Sequence, residues 1–394
     1  MAENKKIQTD KRRFEGEWVK LENLISKAKV KRCGSAHYPV LSMTMHDGIV
    51  EQVNRFKKTI ASKDTSSYKI VEPGQLVVGF PIDEGVIYVQ GHDFAGIMSP
   101  AYNVWDIDRS KIHPAYLELA LHSTRSMAYY ADKMRGTTAR RRSITDGNLL
   151  ALEIPLPTLQ AQNEIVSNLH QVNEIAAASK RRMEVLDDLV KSRFIEMIGD
   201  PLTAKTPWKA VPLGESCEIV TGNTPPRADK NNYGDYIEWC KTDNITDDKY
   251  LTTATEMLSE VGATKSRIAP EGSILMACIA GSMKSIGKVA VANRRVAFNQ
   301  QINAVIPGSD LQTDYLLWLL KLSKDYLCSS VNMQLKGILN KSALSAKVFP
   351  VPPLALQQEF ANFVTQVDKL RFDVQQQIEK LETLKQSLMQ EYFG

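Results

Sequence analysis

The densest chemistry in this chain is the run Arg135-Gly-Thr-Thr-Ala-Arg140-Arg141-Arg142-Ser143. Guanidinium forks bind phosphate oxygens in pairs and read guanine edges, and short hydroxyls and backbone amides add phosphate contacts. Arg135, Arg140, Arg141 and Arg142 are therefore candidate contacts with a polyanion, against the plainer reading of a solvated basic loop. Gln334-Leu-Lys336-Gly337-Ile338 holds a comparable place later in the chain and makes Lys336 a weaker candidate. Asn299, Gln300 and Gln301 interrupt an apolar stretch. Side-chain amides can pair with adenine in the major groove, or bond to neighbouring backbone inside a core. Trp239-Cys-Lys241-Thr242-Asp243-Asn244 reads as a polar strand end able to reach a groove, or as an ordinary capped turn. Ser42-Met-Thr44-Met-His46-Asp47-Gly48 has the same character, with Ser42 and Thr44 as its candidates.

Reaction chemistry is harder to find. Gly281-Ser-Met-Lys-Ser-Ile-Gly287-Lys288 comes nearest to a phosphate loop, but its glycine spacing is one residue too long. Val289 also stands where a Ser or Thr would hold magnesium, so the segment reads as a β-turn. Asn223-Thr-Pro225-Pro226-Arg227 does not match the Asn/Asp-Pro-Pro-aromatic tetrad of an amino-methyltransferase. Asp235-Tyr-Ile-Glu238-Trp-Cys-Lys241 misses a nuclease spacing by one residue, and there is no Gly-x-Ser-x-Gly elbow. Five scattered cysteines without a Cys-x-x-Cys read as reduced thiols, and the six histidines lack metal-ligand spacing. A binding subunit with no catalytic residues and no metal is the expectation.

The elements that must position these groups are written twice. Pro155-Leu-Pro157-Thr-Leu159-Gln-Ala-Gln162-Asn-Glu164-Ile165 returns 195 residues later as Pro350-Val-Pro352-Pro-Leu354-Ala-Leu-Gln357-Gln-Glu359-Phe360. The match runs on without a gap to Gly199 and Gly394. After each proline elbow the apolar residues fall at steps of three, four and seven, the pattern of a coiled coil. The expected seam residues are Ile165, Leu169, Val172 and Leu186 in the first copy, and Phe360, Val367, Leu381 and Leu388 in the second. About 38 residues at 1.5 Å each predict rods of roughly 57 Å, and two related seams in one chain can cover each other as an antiparallel pair. Two separate amphipathic helices, each lying on its own domain, are the alternative.

Between the rods lie modules that read as β-rich. Strands are expected over Leu76 to Pro81, Gly272 to Gly281, Lys288 to Ala292 and Ala297 to Ile306. Helical passages follow at 115–121 and 315–320. The two modules open alike, at Trp18-Val-Lys-Leu21 and Trp208-Lys-Ala-Val211, while their middles differ. The fold class is therefore α+β: two mixed β-rich domains separated by an antiparallel pair of long coiled-coil helices, a pseudo-twofold tandem repeat. The expected boundaries are 1–157, 158–200, 201–352 and 353–394.

A chain of 394 residues has room for several cores, and 24% charged residues are ordinary for a soluble protein. No apolar run approaches the roughly 20 residues of a membrane span. The polar start Met-Ala-Glu-Asn-Lys-Lys lacks the apolar core of a signal peptide, so a cytoplasmic protein without membrane contact is expected. The net charge is +4. The two helical repeats carry −1 and −2, which leaves +7 on the remainder, the sign expected where the modules touch a polyanion.

The twice-written Pro-Leu-Pro-x-Leu-x-x-Gln elbow, the helix closing in Lys191-Ser-Arg-Phe194-Ile-Glu-Met-Ile-Gly-Asp-Pro201 and its degenerate C-terminal copy resemble the specificity subunit of type I restriction-modification systems. Thr221-Gly222-Asn-Thr224-Pro225, Trp239-x-Lys241-Thr242 and Phe298-Asn299-Gln300-Gln301 look like one class of that family's target-recognition domain. Tyr38-Pro-Val-Leu-Ser42-Met-Thr44 and Gly96-Ile-Met-Ser99-Pro100-Ala-Tyr102 look like another class. Thr158 departs from the usual second proline of the elbow. The resemblance covers about residues 17 to 394 and adds Thr224 to the candidates. It implies that each domain reads one half of a split target on double-stranded DNA. The helices would set the half-site spacing and dock two methyltransferase subunits, and through them the motor-endonuclease subunits. S-adenosylmethionine, ATP and magnesium would then be bound by those partners, with no cofactor here. A non-catalytic protein scaffold with two β modules is the rival reading.

Overall fold

A computed structural model describes residues 17–45, 47–52, 64–136, 138, 142–201, 206–329, 331–332 and 337–394. It divides into two compact units, one of Met1–Ser179 with Gln376–Gly394 and one of Lys180–Gln375. The division falls inside both long helices, so each unit holds a β-rich module and a stretch of both.

In the first unit a four-stranded antiparallel sheet runs in the order Ile25–Lys27, Asn103–Ile107, Leu76–Val78, Ile87–Val89. A hairpin of Leu41–Met43 and Ile49–Glu51 and a pair of Lys69–Val71 and Gly96–Met98 lie beside it in sequence. The helices Pro114–Leu121 and Thr124–Lys133 supply Tyr116, Leu117 and Tyr130 to the core with Trp105 and Leu76. Ile165 and Leu169 from the start of the first long helix join that core, as does Phe393 from the end of the second.

The second unit contains two four-stranded sheets. One has the order Cys217–Thr221, Ile302–Pro307, Ile274–Ala277, Val289–Val291, and the other Met257–Leu258, Tyr233–Cys240, Val296–Phe298, Ile268–Ala269. In the latter, Trp239 and Cys240 pair in parallel with Ala297 and Phe298. The stretch expected as one strand from Ala297 to Ile306 is thus two strands in different sheets. The amides are the cause: the Asn299 side chain accepts from the Gln301 N–H at 3.0 Å, closing a turn at 299–301 that ends the ladder. The Gly281–Gly287 segment is a turn, with Gly287 in the left-handed region at φ 75°.

The long helices span Leu159–Ile198 and Leu354–Phe393. They run antiparallel within each unit. In the second unit Arg371 pairs with Asp187, Arg193 bonds Glu359 at 3.5 Å, and the Phe194 ring meets Phe360 edge-on at 5.2 Å. In the first, Asn168 donates to the Tyr392 hydroxyl at 3.4 Å. Of the expected seam residues, Ile165, Leu169, Val172, Phe360 and Val367 are buried, and Leu186, Leu381 and Leu388 are half-buried.

The repeated elbow is a hydrogen-bonded clamp. Gln162 is fully buried; its carbonyl oxygen accepts from the His113 N–H at 2.8 Å, and its amide donates to the carbonyls of Pro157 (2.9 Å) and Lys111 (3.1 Å). Gln357 repeats this with the Gln312 N–H (2.9 Å) and the carbonyls of Pro352 (2.8 Å) and Asp310 (2.9 Å). Each glutamine thereby ties the start of a long helix to the loop that opens the module's own helix. A tyrosine on that module helix adds a further tie, Tyr116 donating to the Pro155 carbonyl at 2.9 Å and Tyr315 to that of Pro350. The two ends of each module pair as strands, Glu17–Lys20 with Glu153–Leu156 and Lys209–Pro212 with Val348–Val351. Thr158, standing where the second copy has Pro353, caps its helix: its hydroxyl accepts from the Ala161 N–H at 3.3 Å.

Inside the second module Arg294 grips Glu238 with two bonds of 2.6 Å and also donates to the Thr252 carbonyl at 3.1 Å. That guanidinium holds the Glu238 carboxyl below its usual value of 4.5, against a smaller upward push from burial.

Two outcomes follow from these contacts. Gln357→Ala strands a buried N–H and two carbonyls and lowers unfolding stability by about 3 kcal/mol in urea titrations, whereas Gln358→Ala, one residue on and exposed, changes it by less than about 0.5 kcal/mol. Because the folded pKa of Glu238 is depressed, its contribution is present above pH 4.5 and is lost as pH falls through the lower folded value. Glu238→Gln therefore costs on the order of 2 kcal/mol at pH 7, and the gap from the native chain closes in melts at more acid pH.

Candidate nucleic-acid interface

The second module brings its expected polar residues to one set of strand ends. Gly222 lets two loops touch: a Cβ there would lie 2.3 Å from the Asn299 carbonyl oxygen and 2.4 Å from that of Phe298. The adjoining backbone is stitched across the gap, Gly222 N–H to Ile302 O at 3.1 Å and Asn223 N–H to Phe298 O at 3.1 Å. This approach sets Thr224 beside Gln300, and the threonine hydroxyl donates to the glutamine side-chain oxygen. Gln300 is exposed and Thr224 engages its side-chain oxygen, which leaves the donors of its amide nitrogen for a base edge. Asn299 is buried, and its amide is spent on Gln301 and the turn. Of the two uses open to an amide, core bonding or groove reading, Asn299 takes the first and Gln300 is free for the second.

Trp239 forms the floor next to this pair. Its indole N–H donates to the Asn223 carbonyl at 3.2 Å, and its ring meets Tyr233 edge-on at 6.3 Å. Two cations lie over it, Arg227 with 5.3 Å from guanidinium carbon to ring centre and Lys241 with its ammonium at 5.3 Å. Both also pair with Glu256, Arg227 at 3.0 Å and Lys241 more closely. Lys241 and then Arg227 hold the Glu256 carboxyl below its usual range. Two cations around one carboxylate leave a net positive site on an aromatic floor, a pattern suited to a phosphate flanked by a base. Thr242 is half-buried and opens the 3-10 turn Thr242–Asn244, which Asn244 locks by accepting from the Lys241 N–H at 2.9 Å.

Arg227, Trp239 and Glu256 were not among the expected contacts. Arg227 sits in a segment weighed only as a failed methyltransferase tetrad, and its partner Glu256 is 29 residues away. Only the fold brings them together.

In the first module the expected residues are dispersed. Thr44 closes the hairpin turn, accepting from the Asp47 N–H at 2.8 Å and donating to the Gly48 carbonyl at 3.3 Å, while Ser42 is half-buried on the strand. Arg135 is exposed, and its backbone bridges Ser143 with bonds of 2.8 and 3.1 Å, closing the basic loop at its base. Arg142 pairs with both Asp83 and Glu84, so its guanidinium serves the module's own fold here. Arg140, Arg141 and Lys336 lie outside the described residues.

The exposed cations of this module gather elsewhere. Lys27, Lys29, Lys31 and Arg32 are all exposed along one strand and its extension, and Arg32 bridges to Lys69 on the neighbouring strand. Lys27 stacks its ammonium 4.4 Å from the centre of Trp105 and pairs with Asp146 at 2.7 Å. Burial, then the charges of Lys27 and Arg32, push the Lys69 ammonium below its usual range. A lysine destabilised by neighbouring cations marks positive potential that an anion would relieve. The spacing Lys27-x-Lys29-x-Lys31 was the available signal, since alternation puts side chains of a strand on one face.

The described residues offer little to a reaction. No group of three or more His, Cys, Asp or Glu among them could hold a metal ion. All five cysteines are buried and unbridged, and burial pushes the thiols of Cys217, Cys240 and Cys278 up to about 12, where they stay protonated at neutral pH. No helix among the described residues is long and apolar enough to cross a membrane.

Comparison with known proteins agrees with this geometry. Residues 205–383 match the family model of the type I restriction modification DNA specificity domain. The HindI specificity subunit of Haemophilus influenzae is 31% identical over 116 residues, covering 29% of this chain and 24% of that protein. The MjaIX specificity subunit of Methanocaldococcus jannaschii is 27% identical over 217 residues, 52% of this chain and 48% of that one. The matched regions thus span less than half the length of these two curated relatives. Among solved structures, a chain from work on complex assembly and conformational transition of the type I R-M system has a TM-score of 0.63 at 20% identity, covering 97% of this chain and 98% of its own. The type I restriction-modification S subunit from M. genitalium has a TM-score of 0.55 at 14% identity, covering 100% of this chain and 99% of its own. These two share the fold. Residues 205–383 are thus similar to the type I restriction modification DNA specificity domain, and the chain as a whole shares the fold of these two solved structures.

Proposed function

We propose that this chain is the non-catalytic DNA-reading subunit of a restriction-modification complex, with each module reading one half of a bipartite duplex target. The observation that carries the reading is the pair of identical glutamine clamps beneath modules whose exposed polar ends differ. Frame and readout are separated: the frame residues are buried and repeated, and the surface residues are not. In the second module Arg227 and Lys241, seated on the buried Trp239 ring, hold phosphate, and Gln300 with Thr224 reads a base edge. In the first, Lys27, Lys29, Lys31, Arg32 and Arg135 supply phosphate contacts, and the hairpin of Ser42 and Thr44 reaches the groove.

The long helices set the separation of the half-sites and dock two methyltransferase subunits, which in turn carry the motor-endonuclease. Exposed apolar side chains support a protein partner on these helices. Val185 and Leu189 stand one turn apart on the first, and Leu370 and Phe372 lie two residues apart on the second, all exposed in their unit. S-adenosylmethionine, ATP and magnesium belong to the partners, and adenine methylation would proceed on a base turned out of the stack into a partner's pocket. The assembly works in the cytoplasm, where its DNA is.

Gel shifts and methylation mapping test the reading. The chain with its methyltransferase partners retards random duplex DNA, and the logarithm of affinity falls linearly with the logarithm of salt. Lys241→Met weakens binding to all sequences and lowers that slope by about one. Gln300→Ala leaves the slope unchanged and relaxes one base position in one half-site by roughly 1–3 kcal/mol. Replacing residues 208–345 with another recognition domain changes one half of the methylated sequence only. A chimera that kept both halves would remove the division of labour, and a complex that ignored DNA while still assembling would leave a protein scaffold.

A further inference from the structure

The turn that resembled a phosphate loop lines a separate basic cavity in the second unit. The cavity has a volume of about 260 Å³ and is walled by Thr246, Asp247, Lys284, Lys288, Lys321 and Lys324. Four lysines thus face one aspartate. Three of the ammonium groups have defined contacts. Lys324 donates to the Lys284 carbonyl at 2.8 Å and pins the 281–287 turn against its own helix. Gly287 permits that turn, being in the left-handed region and too close to Cys328 for a side chain, since a Cβ would lie 2.9 Å from the thiol sulfur. Lys288 reaches across to Asp247 at 2.8 Å. Lys321 is half-buried, its ammonium 5.5 Å from the centre of the Trp318 ring, and it makes no ion pair among the described residues.

The electrostatics are those of a site short of negative charge. Lys288 first, then Lys284 and Lys321, hold the Asp247 carboxyl below its usual range. Lys321 is pushed the other way, below the usual lysine range, by burial and then by Arg371. Asp187, Asp247 and Asp368 offset this only in part; Asp187 is bonded to Arg371 and Asp368 to Lys249. The Asp247 side chain is 86% exposed, so its carboxylate can swing into solvent at little cost.

We propose that this cavity binds a single phosphate group, held by Lys284, Lys288 and Lys321, with Asp247 displaced from Lys288 as it enters. The volume decides the size of the ligand. It lies below the roughly 300 Å³ at which pockets begin to take drug-sized molecules, so a phosphate with its waters fits and a whole nucleotide does not. The phosphate comes from the backbone of bound DNA, a source that rests on the DNA-reading proposal, or from free phosphate in solution; the chemistry of the site is the same.

The test uses the full chain, with inorganic phosphate and a short random duplex as probes. Calorimetry finds phosphate bound by the native chain, lost in Lys284→Gln, Lys288→Gln and Lys321→Met, and bound more tightly by Asp247→Asn, which removes the competing carboxylate. Lys284→Gln, at an exposed position, keeps the test decisive where Lys321→Met does not fold. If DNA is the source, Lys288→Gln also lowers the salt slope of duplex binding by about 0.9, the value of one phosphate contact. An unchanged slope with phosphate binding lost assigns the site to free phosphate. Phosphate binding by the native chain with no duplex bound, even when its methyltransferase partners are present, supports the cavity while overturning the DNA reading. Equal affinities for both probes in the native chain and the four variants, or no phosphate binding by the native chain, would overturn the cavity proposal.

Discussion

The structure depends on a buried amide that must satisfy three backbone groups at once. A proline elbow cannot make its own ladder: proline has no N–H, and its neighbours are held away from helix geometry. The carbonyls of Pro157 and Pro352 would therefore be left unpaired as the chain turns into the long helix. Gln162 and Gln357 accept one N–H and donate to two carbonyls, using side-chain donors and an acceptor that only an amide combines in that way. Glutamate lacks the donors and leucine lacks both. Because one of the two carbonyls belongs to the module and the other to the elbow, the same side chain that satisfies the helix start also fixes the module upon it.

The recognition surface follows a different rule. The elbow clamps are neutral and buried, whereas the charged contacts of the recognition surface lie at strand ends and are partly exposed. Arg227 and Lys241 share Glu256, and Lys27 leans on Trp105 and Asp146. These pairs contribute little to stability, since exposed ion pairs are worth about 0–1 kcal/mol. Their consequence is geometric. A long flexible cation held over an aromatic ring by a carboxylate has lost rotamer freedom before any ligand arrives, which lowers the entropy cost of ordering it on binding. The carboxylate also weakens non-specific attraction to phosphate, so a modest net charge is compatible with selective binding.

How far the sequence disclosed this differs by level. The repeat, the two long helices and the helical passages of the modules were legible because apolar spacing and proline-glycine punctuation report local structure directly. Thr158 could be seen as a departure from proline, and a threonine hydroxyl at a helix start has one obvious use. The strand from Ala297 to Ile306 was not legible as two, because Asn299 ends it through a bond to Gln301 that no hydrophobic pattern encodes. The basic loop illustrates the same limit for charge. Arg142 belongs to the densest cationic run in the chain, yet its partners Asp83 and Glu84 lie almost sixty residues earlier, so the run's density said nothing about which guanidinium was already committed. Arg227 fails in the opposite direction: isolated in sequence, it gains its role from Glu256 and Trp239 through the sheet that holds them.

These two rules together explain why so much of the chain repeats while so much does not. A module needs only a pair of end strands, a tyrosine on its closing helix and one backbone N–H and carbonyl for the elbow glutamine in order to be seated. Tyr116 and Tyr315 meet the same carbonyl in their elbows although the residues before them bear little likeness, and His113 and Gln312 offer the same N–H from different side chains. The clamp reads backbone, and backbone does not record sequence. Most of what lies between the end strands is then released from the requirements of assembly, and its strand ends can change their polar residues without loosening the helix beneath. The ion pair of Lys249 with Asp368 on the second long helix, at 2.7 Å, is a side-chain-specific joint of the other kind, so Lys249 is not free to vary with the surface around it.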